Sequence, residues 1–130
     1  MASSVRYEVK VSRELASQLA ELKAAADESK AKRQLYNSLK RCAVELLREH
    51  AGSERDLLTA PLRRAVYRIK QGRLRTFDIL SERKKLVVML MVGMRKQRDK
   101  HDAYEVLNRR IRAGDFDPQF EECGIQRPAL

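Results

Sequence analysis

The sequence predicts an α+β fold: a small antiparallel-rich sheet of an N-terminal strand and a three-strand C-terminal meander, two long helices packed on one face, and a short C-terminal helix. Three observations lead there. Residues 5–11, "VRYEVKV", alternate apolar and polar. Residues 13–50 carry apolar positions at three- and four-residue steps. Residues 65–92 hold three apolar-rich segments separated by turn signals.

The first strand puts Val5, Tyr7, Val9 and Val11 on one face and Arg6, Glu8 and Lys10 on the other, as a half-buried strand does. Ser12 is placed to cap the helix that follows, where Leu15, Leu19, Leu22 and Ala26 form an apolar stripe. A second helical pattern over 31–50 carries Leu35, Leu39, Cys42, Ala43, Leu46 and Leu47. The break at "DESK" is shallow and leaves a helical hairpin or one long bent helix; the hairpin is the expected form. Gly52 and Pro61 punctuate 51–62 as a loop with room for a helical turn. Strands follow at about 65–70 and 73–80, then the polar turn "SERKK". "LVVMLMV", residues 86–92, is apolar at every position and suits a strand buried on both faces. After Gly93 and the charged "MRKQRDKHD", residues 102–113 form a short helix with Tyr104, Leu107 and Ile111 on one side. The tail, 114–130, is broken by Pro118 and Gly124 and is expected to be irregular.

A chain of 130 residues is expected to be one domain with a real core. Its 28 Lys+Arg against 18 Asp+Glu give a net charge of +10, which favours a polyanionic partner. No apolar run reaches the length of a membrane span, and "MASSVRYEVKVS" lacks the apolar stretch of a signal peptide, so a cytoplasmic protein without membrane contact is expected. Cys42 and Cys123 belong to no CxxC pair and read as reduced thiols. With only His50 and His101 as histidines, no zinc site and no other metal or cofactor is expected.

"RRAVYRIKQGRLRTFDIL", residues 63–80, is the most informative stretch. Folded at Gln71-Gly72, it sets Lys70 opposite Arg73, Ile69 opposite Leu74 and Arg68 opposite Arg75. Like charges directly across a strand pair repel, and no acid on that face relieves them. One face then shows Arg68, Lys70, Arg73 and Arg75 with Val66, Phe77 and Ile79; the other shows Tyr67, Ile69, Leu74, Thr76, Asp78 and Leu80. The next strand ends in "GMRKQR", which adds Arg95, Lys96 and Arg98. A solvated face would be the plain explanation. A positive surface that holds a polyanion, with Phe77 stacking a base, explains the crowding better.

These residues resemble the RelE/ParE superfamily of small toxins from toxin–antitoxin pairs. The matching stretch is "YRIKQGRLRTF" through "KKLVVMLMVGMRK", residues 67–96. The family pattern is a Tyr-x-Ile-Lys strand, a turn, a strand carrying an Arg, and an apolar strand ending in Val-Gly-x-Arg-Lys or similar. The element order fits over nearly the whole chain. The resemblance implies a RelE-like fold and a type II toxin that cuts mRNA in the decoding site of the small ribosomal subunit. The RNA's own 2′-OH attacks, so the reaction needs no metal. It also implies a cognate antitoxin as partner. By position, Arg75 resembles the arginine that steadies charge on the scissile phosphate, and Arg95 the one that assists the leaving oxygen. Lys70 resembles the lysine that takes the 2′-OH proton or stabilises the product of its loss; as a base its pKa is expected to be pushed down by Arg68, Arg73 and Arg75. Arg68 matches another basic position. Arg73, Lys96, Arg98 and Phe77 complete the expected RNA contacts. Fixed guanidinium groups suit this chemistry because oxygen charge grows in the transition state.

The pattern departs in one place. Several RelE-type enzymes use a C-terminal Tyr, and here Tyr104 arrives late, with His101 nearer the expected position. Both are candidates for acid–base work; Tyr104 is also placed to pack in the apolar face of the last helix. Two other readings stand beside the nuclease. ParE-like members poison DNA gyrase and tend to lack the full basic set, so Lys70, Arg75 and Arg95 together favour the nuclease. A nucleic-acid-binding module without chemistry fits the charge equally well and leaves the crowded hairpin unexplained.

Overall fold

Residues 7–41, 56–57 and 66–128 are described by the computed structural model. Val5, Cys42, Ala43, Leu46, Leu47, His50, Gly52 and Pro61 lie outside them. The elements in chain order are β1 (Glu8–Val11), α1 (Arg13–Ala25), α2 (Lys30–Arg41), β2 (Asp56–Leu57), β3 (Tyr67–Gln71), β4 (Leu74–Ser81), β5 (Leu86–Met94), α3 (Ala103–Arg112) and α4 (Asp117–Glu122). The sheet runs β1-β5-β4-β3-β2. β1 pairs parallel with β5, and every other neighbouring pair is antiparallel. This is the expected N-terminal strand and C-terminal meander. Inside the stretch read as a loop, Asp56 and Leu57 add a short strand opposite Arg68 and Tyr67.

Ser12 starts α1 as its sequence position foretells. Its side chain accepts from the Leu15 N–H and donates to the Leu90 carbonyl, while its backbone N–H donates to the Met89 carbonyl at 2.8 Å. One residue therefore caps a helix and extends the edge of the sheet. The chain turns over residues 26–29, and α2 returns against α1, so the helical hairpin is the form adopted.

The helices do not share one side of the sheet. Leu15 and Leu39 of α1 and α2 pack with Ile69, Leu74, Val87, Met89 and Val92 on one face. Ala103, Leu107 and Ile111 of α3, with Phe116, Phe120 and Cys123, pack with Phe77, Ile79, Leu86, Val88 and Leu90 on the other. The cause is β5 itself: apolar at every position, it presents two faces that both need cover. The tail is also more ordered than its Pro and Gly suggest. Pro118 sits in the first turn of α4, where a missing N–H costs nothing, and Phe116 and Phe120 anchor that helix by burial worth about 2 kcal/mol each.

β5 carries a bulge. Phe77 pairs with Met91 but Asp78 pairs with Met89, which leaves Leu90 as an extra residue. Before it, Leu86, Val88 and Leu90 face α3; after it, Met91 does, and Val92 turns to the α1–α2 side. Leu90 therefore reverses which residues at the end of β5 lie on which face. No described helix is long and apolar enough to cross a membrane.

Candidate active site at the basic hairpin

The β3–β4 turn lies at Gly72–Arg73, one residue later than the sequence suggests. Gln71 pairs with Leu74, Lys70 with Arg75, Ile69 with Thr76 and Arg68 with Phe77. Gly72 takes φ +60 as the first turn residue, the position at which a type II′ hairpin requires glycine. Moving the turn by one residue moves the pairing by two along β4, so every side chain keeps its expected face. The two expected like-charge pairs become one, Lys70 opposite Arg75. Relief of that repulsion is a physical reason for the register adopted.

Arg75 is buried, at 8% exposure. Its Nη1 donates to the Gly72 carbonyl at 2.7 Å and the Leu74 carbonyl at 2.9 Å, which locks its own turn. Its Nε donates to the Tyr104 hydroxyl at 3.2 Å, and Arg68 Nη1 donates to the same oxygen at 3.0 Å. Arg95 lies over the Tyr104 ring, its Cζ 5.6 Å from the centroid. Phe77 meets that ring edge-on, centroids 5.4 Å apart. Tyr104 is thus the hub of a cluster drawn from β3, β4, α3 and the exit of β5. Carbonyls and a phenol supply the acceptors that an acid was missed for.

The segment after β5 holds the hub in place. Asp102 is buried; its Oδ1 accepts from the Lys96 N–H at 2.5 Å and its Oδ2 from the Tyr104 N–H at 3.0 Å. One carboxylate therefore ties the residue after Arg95 to the first turn of α3. The Arg95 N–H donates to the Arg73 carbonyl at 2.8 Å, which joins the exit of β5 to the hairpin turn.

Of the expected site residues, Arg68, Arg75, Arg95 and Tyr104 come together. Lys70 is exposed, directly across from Arg75. Arg73 is exposed in the turn, and Lys96 and Arg98 are exposed beyond β5. One expectation is corrected, for Phe77, and one candidate, His101, stands apart from the cluster. Phe77 is fully buried beneath Tyr104 and cannot stack a base. His101 is exposed, and no hydrogen bond or ion pair joins its ring to the cluster among the described residues. Sequence reasoning missed Asp102, whose signal is present: an Asp just before an apolar-periodic helix is an N-cap. Among the described residues no group of three or more His, Cys, Asp or Glu is placed to hold a metal ion. Cys123 is a free, buried cysteine whose thiol is pushed up chiefly by that burial.

No family model and no curated protein matches the chain. Solved structures are. A chain of the toxin–antitoxin complex RelBE2 from Mycobacterium tuberculosis is 17% identical, with a TM-score of 0.58, covering 73% of this chain and 98% of that one. A chain of the archaeal RelE–RelB complex from Pyrococcus horikoshii is 17% identical, with a TM-score of 0.42, covering 71% and 98%. The protein has a RelE-like fold.

Proposed function

We propose that this protein is the toxin of a type II toxin–antitoxin pair and a metal-independent endoribonuclease that cuts mRNA in the ribosomal decoding site. The fold likeness to a toxin–antitoxin complex supports the toxin and an antitoxin partner. The observation that carries the nuclease is the Tyr104 hydroxyl held between Arg68 and Arg75 with Arg95 across its ring. Two incoming N–H groups occupy the lone pairs of the phenol oxygen, so its own proton is the one left to give.

The step follows from that arrangement. The 2′-oxygen bonds to phosphorus, the bond from phosphorus to the 5′-oxygen breaks, and a 2′,3′-cyclic phosphate remains. Lys70, across from Arg75, takes up the 2′-OH proton or stabilises the oxyanion left by its loss. Tyr104 donates to the departing 5′-oxygen. Arg68 and Arg95, with the outer nitrogen of Arg75, stabilise the charge that grows on the phosphate oxygens. Arg75 also fixes the hairpin that carries it. Exposed Arg73, Lys96 and Arg98 hold the RNA backbone.

Induced expression of wild type and Arg75→Ala, with primer extension on a translated message, tests this. Ribosome-dependent cuts that vanish in the variant are expected. Growth arrest with intact message overturns the nuclease, and gyrase supercoiling assays then test the ParE-like alternative. RNA binding without cuts or arrest leaves the non-catalytic module.

A further inference from the structure

α2 reads "KAKRQLYNSLKR": Lys30, Lys32, Arg33, Lys40 and Arg41, and no acid. At about 100° per residue, Lys30, Arg33, Gln34, Asn37, Lys40 and Arg41 share an arc of roughly 120°, and the arc runs about 16 Å along the axis. Leu39, on the opposite side, is buried against the sheet. The first five of those polar residues are exposed. Lys30, Arg33 and Lys40 make no ion pair among the described residues.

Helix stability explains Lys40 and Arg41, which stand in the last turn where the dipole favours cations, and Arg33 Nε also donates to the Ala26 carbonyl at 3.1 Å; it does not explain the first turn. Three cations crowd the first turn, at the positive end of the helix dipole, with no acid among them. Lys30 and Arg33 stand three residues apart as like charges. Membrane insertion does not explain it either, because the arc contains no apolar side chain and the apolar side is already packed on the sheet. What remains is a straight row of hydrogen-bond donors with uniform positive charge, which matches a row of phosphates.

We propose that the outward face of α2 binds the phosphate backbone of a nucleic-acid duplex, as a surface distinct from the Tyr104 cluster. The two lie on opposite faces of the sheet. They approach each other at the hairpin tip, where Gln34, at the edge of the arc, and Arg73 line one groove with Lys32, Leu35 and Leu74. A backbone seated on α2 therefore continues toward the hairpin. The proposal does not depend on cleavage.

The test is fluorescence anisotropy of the full chain with a labelled RNA duplex, and with the DNA duplex of the same sequence, over a series of KCl concentrations. In the triple variant Lys30→Gln, Arg33→Gln, Lys40→Gln, the slope of log K against log salt is expected to fall by about 2 to 3. The variant should keep its helical circular dichroism, since it removes two unfavourable first-turn cations against one favourable last-turn cation and Gln is a good helix former. The charge-preserving set Lys30→Arg, Arg33→Lys, Lys40→Arg should restore the slope. Loss with both duplexes supports a backbone contact in general, and loss with RNA alone supports an RNA backbone. An unchanged slope overturns the proposal. So does a triple variant that releases anionic phosphatidylserine vesicles but not the duplexes. Cleavage, measured separately, leaves this outcome and the nuclease reading distinguishable.

Discussion

Gly93 lies against Ala103 with no room for a side chain: a Cβ on Gly93 would stand 3.0 Å from the Ala103 Cβ and 3.2 Å from its Cα. This contact sets how closely α3 approaches β5. It is reached only because the bulge at Leu90 turns the residues after it, Met91 first, toward α3. Tyr104 follows Ala103 directly, and Arg75 pairs with Gly93. The same close approach that packs strand on helix therefore sets the Tyr104 hydroxyl within reach of Arg75.

Gly93→Ala is expected to push α3 away from the sheet, because the obstructing atoms belong partly to the helix backbone. Overpacking of this kind costs about 1–3 kcal/mol. Urea unfolding measures it as a lowered midpoint. In the proposed nuclease, message cleavage should fall with it even where the protein remains folded. An unchanged midpoint would show that α3 adjusts freely and that Gly93 does not set its position.

Tyr104→Phe keeps the ring and its edge contact with Phe77 but removes the acceptor shared by Arg68 and Arg75. Leaving those donors without their partner should cost about 1–3 kcal/mol of stability. If the phenol gives its proton to the leaving oxygen, cleavage should drop about 100-fold or more. Single-turnover cleavage in translating extract separates the effects. A destabilised variant that still cuts at the wild-type rate would restrict Tyr104 to holding the arginines.

The hairpin shows how far the sequence could be read. Alternation places residues 67–70 and 74–80 on their correct faces, because faces depend on parity and survive a two-residue shift in pairing. The exact turn was misplaced, yet the clue was present: two opposed cation pairs signalled a register that the chain avoids. β5 likewise announced two buried faces, and helices on both sides follow from that. The bulge had no such mark, since Leu90 is apolar like its neighbours. The 3.6-residue period put Tyr104 on the packed side of α3 but said nothing of the partners, which come from distant strands. Asp102 was legible as a cap; its second bond, to Lys96, depends on a turn that no local pattern specifies.

Cys123 should resist alkylation in the native protein. It is 7% exposed, and burial pushes its thiol up, so little thiolate forms at neutral pH. Iodoacetamide labelling read by peptide mass spectrometry should leave Cys123 unmodified until urea unfolds the core. Rapid labelling under native conditions would mean that α4 opens without global unfolding.

The edge of β5 beyond β1 is completed by a side chain. β1 pairs as far as Met89. Further along, Gln18 of α1 donates from Nε2 to the Val92 carbonyl at 2.9 Å and accepts from the Val92 N–H at 3.2 Å. The amide thereby mimics one residue of a neighbouring strand, and it secures the strand end that leads to Arg95. Gln18→Ala leaves both backbone groups of Val92 without that partner, at a cost of about 1–3 kcal/mol. Gln18→Glu supplies a sharper test. Protonated, the new carboxyl reproduces both bonds; ionised, it still accepts from the N–H but faces the carbonyl with no hydrogen to give. Its folded-state pKa should therefore be raised above the unfolded value of about 4.3. The stabilising contribution is then fully present below that unfolded value and lost as pH rises through the folded one. Urea midpoints should show the variant close to wild type near pH 4 and clearly weaker at pH 7. A gap that does not change with pH would mean that the donated bond to Val92 contributes nothing and that only the shape of the amide matters.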